Sequence, residues 1–127
     1  MKKYFLPPKI SDKYIHYVEK SEKLKFKRKP TLGYAELHGA NGTHEWEHRG
    51  DKVVHARIKL GVHVLSTNKK QAYTNKGKVV LLHELRENLY VQHNPKAKAI
   101  KSASNPYHKK ANKHRLEDTK NVRRRLI

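Results

Sequence analysis

Residues 79–87 place one histidine, two glutamates and one arginine in a stretch that is otherwise apolar. Burying such groups costs free energy unless a partner compensates for the lost water. In a helix, His83 and Glu87 are four residues apart and share a face, while Glu84 lies one position further round. Because four apolar residues precede His83, we expect the start of this helix to be buried and the imidazole to point into the protein.

The spacing of these three side chains is typical of a metal site. Zinc hydrolases place two ligands four residues apart on a helix, and the glutamate beside the first ligand takes a proton from a bound water. The common form has histidine at the second ligand position, whereas this chain has Glu87 there. A Glu-Arg-Glu run on a helix is also typical of a solvated, salt-bridged face, so that interpretation stays open.

Composition limits the other possibilities. The chain has no cysteine, which excludes disulfides and thiolate metal sites and leaves His, Asp and Glu as strong ligands. Its 127 residues, of which 35% are apolar and 32% charged, predict one domain with a modest core. The apolar patch at residues 4–6 is too short for a signal peptide or a membrane span. We therefore expect a cytoplasmic, intracellular protein with no membrane partner.

The charge balance predicts a polyanionic partner. Thirty Lys and Arg against eleven Asp and Glu give a net charge of +19, and the commonest polyanion in a cell is nucleic acid. The cations form two clusters, and such clusters bind phosphates with salt-dependent, sequence-independent affinity. A lysine-rich surface that serves only solubility is the alternative. The residues predicted to bind DNA or RNA are Lys20, Lys23, Lys25, Lys27, Arg28, Lys29, Lys109, Lys110, Lys113, Arg115, Arg123, Arg124 and Arg125.

The first half of the chain changes periodicity once. Residues 1–30 predict a basic N-terminal helix region that ends before Pro30. Residues 31–66 alternate apolar and polar positions, which predicts an antiparallel sheet. The Asn-Gly pair at 41–42 predicts a hairpin turn inside a three-stranded meander, and residues 62–65 predict a fourth strand.

The second half reads as helical. Residues 78–118 predict a helical pair, with the first helix at 78–92 and the second entered at 104–106. Pro106 suits the first helical position, with one of the two residues before it as the cap. A basic tail follows at 119–127. The expected fold is thus a single α+β domain, with a sheet of three to four antiparallel strands, an N-terminal helix and two C-terminal helices.

The order of strands, His-Glu helix and second helix resembles a minimal zincin core. Small zincin-like metallopeptidase-fold proteins, many of them encoded by phages and other mobile elements, carry a His-Glu-Leu-Arg-Glu block. A segment with Tyr, His and Ala-Asn follows that block, and then an acidic residue. The counterparts here are residues 83–87, residues 107–112 and Glu117, so the resemblance covers about residues 79–118.

The resemblance implies a zinc cofactor and a role for each side chain. His83 and Glu87 would be metal ligands, and Glu84 would be the base that activates water. The third ligand would be His108 or Glu117. The expected function is a small, basic, nucleic-acid-associating protein of viral or mobile-element type with a zincin-like pocket. A zinc-dependent metallopeptidase is the alternative, and a structural component of a ribonucleoprotein or virion is a further one.

Three weaker patterns remain. Histidines in or beside the predicted sheet can form a second metal site or an ordinary solvated face; they are His38, His44, His48, His55 and His63. Trp46 and Tyr34 can stack on unpaired bases, although core packing is the competing interpretation. Residues 87–94 are similar to part of a His-Asn-His nuclease motif, but the expected upstream pair of histidines is missing.

Overall fold

A computed structural model describes residues 4–37, 40–66, 73–97 and 105–127 of the chain. Within these ranges the expected α+β class is confirmed: three strands form one sheet, and four α-helices accompany it. The elements are α1 (Asp12–Glu22), β1 (Thr31–Ala35), β2 (Gly42–Arg49), β3 (Lys52–Gly61), a 3-10 helix (Val62–Val64), α2 (Asn75–Gln92), α3 (Pro106–Asn112) and α4 (Arg115–Arg123).

The sheet is mixed, so the expected antiparallel meander is only partly correct. Its strand order is β1-β3-β2; β2 pairs antiparallel with β3, but β1 pairs parallel with β3. The hairpin turn lies at Gly50, whose φ of 59° suits glycine, and joins β2 to β3. The Asn-Gly pair at 41–42 forms no hairpin, because β2 begins at Gly42 and lies on the far side of β3 from β1.

The expected fourth strand at 62–65 is wrong. Val62–Val64 forms a 3-10 helix, and Leu65 makes only an isolated bridge to Tyr73. The chain leaves the sheet at Gly61, whose backbone N–H donates to the carbonyl of Asn41 at 2.9 Å. An alternating pattern this short fits a single helical turn equally well.

Helix α2 ends at Gln92 as expected but begins earlier than expected, at Asn75 instead of residue 78. The hydroxyl of Thr74 caps α2 by accepting a hydrogen bond from the N–H of Gly77 at 2.9 Å. The side chain of Asn105 caps α3, with Pro106 at the first helical position as expected; residue 104 lies outside the described residues. The prediction of one continuous second helix was wrong. Helix α3 ends at Asn112, and most of the expected basic tail belongs to a further helix, α4.

Helix α2 lies at the centre of the structure. It packs against β2 and β3 on one side and against α1, α3 and α4 on the other. Its apolar side chains join those of α1 and β3 in the core, which includes Ile15, Val18, Ile58, Leu60, Leu81, Leu85 and Leu89. Residues 84–92 of α2 are all buried, although Glu84, Arg86, Glu87, Asn88 and Gln92 are polar. Each of these polar groups therefore needs a partner inside the protein.

In the described ranges, no helix combines the length and the apolar character needed to cross a membrane.

Arg86 has the most demanding of these partnerships, since it is only 1% exposed. Its Nε and Nη2 donate to the two carboxylate oxygens of Asp118 at 2.9 and 2.7 Å. Its Nη1 donates to the hydroxyl of Ser21 at 2.9 Å and lies 3.2 Å from a carboxylate oxygen of Glu22. The hydroxyl of Tyr17 adds a third hydrogen bond to Asp118 at 2.8 Å. These contacts join α2 to both α1 and α4.

We predict that Asp118→Ala costs about 3–5 kcal/mol of unfolding free energy, because it leaves the buried guanidinium without its main counter-charge. The neighbouring Glu117 is exposed and makes a matched control, and Glu117→Ala should change stability by less than about 0.5 kcal/mol. Urea denaturation of the two variants measures both values. Equal effects at the two positions would contradict a network centred on Arg86.

Candidate metal centre

Three of the side chains predicted to bind metal converge between α2 and α3. His83 and Glu87 lie one turn apart on α2, and the Asn105 cap starts α3 so that His108 faces them. The Nε2 of His83 lies 2.9 Å from Oε2 of Glu87 and 3.1 Å from Nδ1 of His108. The Nδ1 of His108 lies 3.7 Å from the same carboxylate oxygen. The three donor atoms therefore form a small triangle.

The size of this triangle suits a metal ion. Ligand atoms at about 2.0–2.1 Å from a tetrahedral zinc lie about 3.3 Å from one another. The observed separations of 2.9, 3.1 and 3.7 Å bracket that value. Neutral histidine and carboxylate donors also suit zinc chemically, and the chain offers no cysteine. His83, Glu87 and His108 thus form a group that can hold a metal ion with little movement.

The environment of Glu87 favours its ionised form. Burial alone would raise the pKa of Glu87, but a hydrogen bond from His83 and the charges of the neighbouring histidines outweigh burial and lower it. An ionised carboxylate is the form that ligates a metal.

Glu84 lies on the wall of a cavity of about 270 Å³ that opens beside this triangle. The same cavity is lined by His83 and His108, by the apolar side chains of Val79 and Val80, and by residues of α3. Burial raises the pKa of Glu84 to about 8, and the nearby charge of Glu87 acts in the same direction. Glu84 thus lines the same cavity as two of the three possible ligands, His83 and His108.

The structure does not bring Glu117 into the cluster. Glu117 is exposed in the first turn of α4, while its neighbour Asp118 is buried against Arg86. The break between α3 and α4 turns the chain, so Glu117 does not follow His108 toward α2. The resemblance allowed either His108 or Glu117 as the third ligand, and the structure places His108 beside Glu87.

A second group of possible ligands shares Glu87 with the first. One donor atom each of His44, Glu84 and Glu87 lies within 4.8 Å of the other two. His44 comes from β2, and burial lowers its pKa to about 4. The imidazole of His44 is therefore neutral at pH 7, and its partners decide which ring nitrogen carries the proton.

A chain of amide side chains settles the proton position on His44. The Oε1 of Gln92 accepts from the backbone N–H groups of Lys27 and Arg28, at 2.8 and 3.1 Å. Its Nε2 then donates to the carbonyl of Arg28 and to Oδ1 of Asn88, both at 2.8 Å. The Nδ2 of Asn88 consequently donates to Nδ1 of His44 at 3.2 Å. The proton of His44 must lie on Nε2, so the ring is a hydrogen-bond donor rather than a second metal ligand.

Sequence reasoning missed this chain of amides, although a signal was present. Glu84, Asn88 and Gln92 recur at every fourth position of α2 and therefore form one polar stripe on a buried helix. The stripe faces the sheet, since Asn88 also donates to the backbone carbonyl of Glu45 in β2 at 3.1 Å.

The other predicted features are ordinary contacts. The Nε2 of His48 donates to the carbonyl of Val91 at 2.8 Å, whereas His55 pairs with Glu45 and His63 with Asn41. His38 lies outside the described residues. The ring of Trp46 stacks on His44, with ring centres 5.2 Å apart.

All thirteen cations predicted to bind nucleic acid are exposed. Several of them have partners: Lys25 lies 3.9 Å from Glu19, Lys29 lies 3.4 Å from Asp12, and Lys110 lies over the ring of Tyr90.

Fold and site together define a small α+β protein with a buried His/Glu group that can hold a metal ion. Comparison of the chain with protein-family models, curated proteins and solved structures finds no match. The zincin-like resemblance accordingly stays a prediction.

We predict that Asn88→Ala costs about 1–3 kcal/mol in metal-free protein, because it removes the donor to Nδ1 of His44 and one of the two acceptors of Nε2 of Gln92. The ring nitrogen chemical shifts of His44, measured by NMR, should also lose the signature of a proton fixed on Nε2. Asn112, an exposed residue at the end of α3, serves as the control. A stability loss of similar size for Asn112→Ala would argue against a special role for Asn88.

Proposed function

We propose that the protein is a zinc-dependent hydrolase whose ligands are His83, Glu87 and His108. The observation that carries this proposal is the triangle of donor atoms, with sides of 2.9, 3.1 and 3.7 Å, on the edge of a cavity. Three protein ligands leave one position of a tetrahedral zinc open to water, as in catalytic rather than structural zinc sites. The resemblance to zincin-like proteins favours a peptide bond as the substrate.

Each side chain then has a separate task. A bound zinc ion supplies a water of lowered pKa, near 7. Glu84 lines the cavity and would be the general base that accepts a proton from that water, because the charge of a bound cation would lower the pKa that burial raises in the metal-free protein. His44 lies near Glu84 and Glu87, and its N–H is not engaged by Asn88, which occupies the other ring nitrogen. A hydrogen bond from His44 would hold these carboxylates in place.

We predict that the protein purified without chelator contains one zinc ion per chain. His83→Ala and His108→Ala should lose the stoichiometric metal, because each removes one of three ligands. Glu84→Gln should keep the metal and abolish hydrolysis of an unstructured protein substrate. Metal content by mass spectrometry and a peptidase assay measure the two properties separately.

Glu117→Ala is the matched control, since it removes a carboxylate that the sequence also proposed as a ligand and that lies outside the cluster. It should change neither zinc content nor activity. Zinc that survives the loss of both His83 and His108 would refute the proposed centre.

Nucleic-acid association is a second candidate function, and it is compatible with the first. Its support is the net charge of +19 together with the exposure of all thirteen predicted contact residues. Exposed lysines and arginines can reach phosphates without any rearrangement of the core. Permanent neutralisation of the same charges in a ribonucleoprotein or virion remains within this proposal.

We predict that binding to arbitrary oligonucleotides falls steeply with salt. Replacing Arg123, Arg124 and Arg125 with alanine should weaken all sequences alike and reduce the slope of log K against log salt by about 2–3, since each phosphate contact contributes about 0.9. Fluorescence anisotropy titrations at several salt concentrations test this. An affinity that hardly changes with salt would exclude electrostatic association.

A further inference from the structure

A second, larger cavity lies on another face of the protein, away from the metal centre. Its volume is about 670 Å³, and it is an open groove between α1, the start of α2 and the segment that follows α4. The side chains of Lys13, Lys20, Lys78 and Arg125 line it, together with His16. None of the described residues along the groove has an acidic side chain.

The cations of this groove are not neutralised by the protein. In the described part of the chain, no carboxylate lies within 4.0 Å of the charged groups of Lys13, Lys20, Lys78 or Arg125. Lys25 and Lys29, by contrast, each have an acidic partner. The groove therefore brings together four cations that no described carboxylate compensates.

The cations of the groove repel one another. Lys78 lines the groove and is partly buried, and burial, followed by the charges of Lys13 and Arg125, lowers its pKa. The first turn of α2 has no acidic residue, so the partial positive charge of the helix N-terminus adds to the repulsion. Like charges at short range are unfavourable unless an anion enters between them.

The position of Arg125 is fixed by the fold. Its backbone adopts a φ of 57°, and its N–H donates to the carbonyl of Val122 at 3.1 Å. The N–H of Leu126 donates to the carbonyl of Asn121 at 2.9 Å, and the side chain of Ile127 is buried in the core. The last residues thus form an ordered turn that presents Arg125 to the two helices.

We propose that this groove binds the phosphate backbone of a nucleic-acid strand. The inference rests on the second candidate function and locates it, adding Lys13 and Lys78 to the contact residues expected from sequence. A strand fits better than a single phosphate, because the cations come from three separate segments along an open groove. Contacts to phosphates alone would make the binding independent of base sequence.

The test compares two triple variants that remove the same charge. The groove variant replaces Lys13, Lys20 and Lys78 with alanine and so removes three of the four cations. The control replaces Lys9, Lys52 and Lys96, which are exposed lysines outside the groove. Fluorescence anisotropy with a labelled single-stranded DNA of mixed sequence measures affinity and salt slope. The groove variant should lose at least about tenfold in affinity and about 2–3 in slope, and the control should lose much less.

The outcomes separate the two claims. If the wild-type protein shows no salt-dependent binding, nucleic-acid association itself fails. If both triple variants lose affinity equally, association stands and the groove is overturned as its site. Inorganic phosphate is the competitor, and chloride at the same ionic strength is the reference. If phosphate displaces the DNA no better than chloride does, the result supports a strand site. Much stronger displacement by phosphate would indicate a small-anion site and overturn the proposal.

A single substitution gives an independent readout. Lys78→Met keeps the length of the side chain but removes the crowded charge, so it should raise the melting temperature at low salt while it weakens DNA binding. High salt should remove the gain, because it screens the repulsion. A lower melting temperature combined with unchanged DNA affinity would mean that Lys78 serves packing alone, which would overturn the proposal.

Discussion

A guanidinium inside a protein must be neutralised where it lies, because the cost of removing it from water exceeds what packing returns. Arg86 meets this requirement with a bidentate contact to Asp118 and a second carboxylate from Glu22. Since these partners come from α4 and α1, this buried cation joins three helices. It also fixes the rotation of α2 about its axis, and every other polar residue of that helix takes its direction from that rotation.

The candidate metal centre depends on this fixed rotation. Asn88 faces the sheet, Arg86 faces α1 and α4, and His83 with Glu87 lies where α3 approaches. The amides of Gln92 and Asn88 then orient His44, so that the carboxylates have a donor of known direction beside them. Side chains held in this way need little rearrangement to receive a metal, which is what an efficient site requires.

Sequence reasoning identified what depends on neighbouring positions along the chain. The four-residue spacing placed His83 and Glu87 on one face, and Pro106 marked the start of α3 correctly. It was wrong about β1, because alternation predicts which face of a strand is buried but not which strand lies beside it. It also left open a solvated Glu-Arg-Glu face at residues 84–87, which are in fact buried. Arg86 joins the helices through its ion pair with Asp118, which lies 32 positions further along the chain. No local sequence pattern reveals a partner at that distance.

Because the chain has no cysteine, the contact between His108 and Glu87 can also matter for stability. A highly charged chain of this size has few ways to restrict its unfolded state, and it cannot use a covalent cross-link. A metal ion shared by α2 and α3 would close the loop between Glu87 and His108 only in the folded protein. The entropy of loop closure would then appear as metal-dependent stability of the C-terminal helices. The same three side chains would then form both a reaction centre and a reversible, metal-dependent cross-link between α2 and α3.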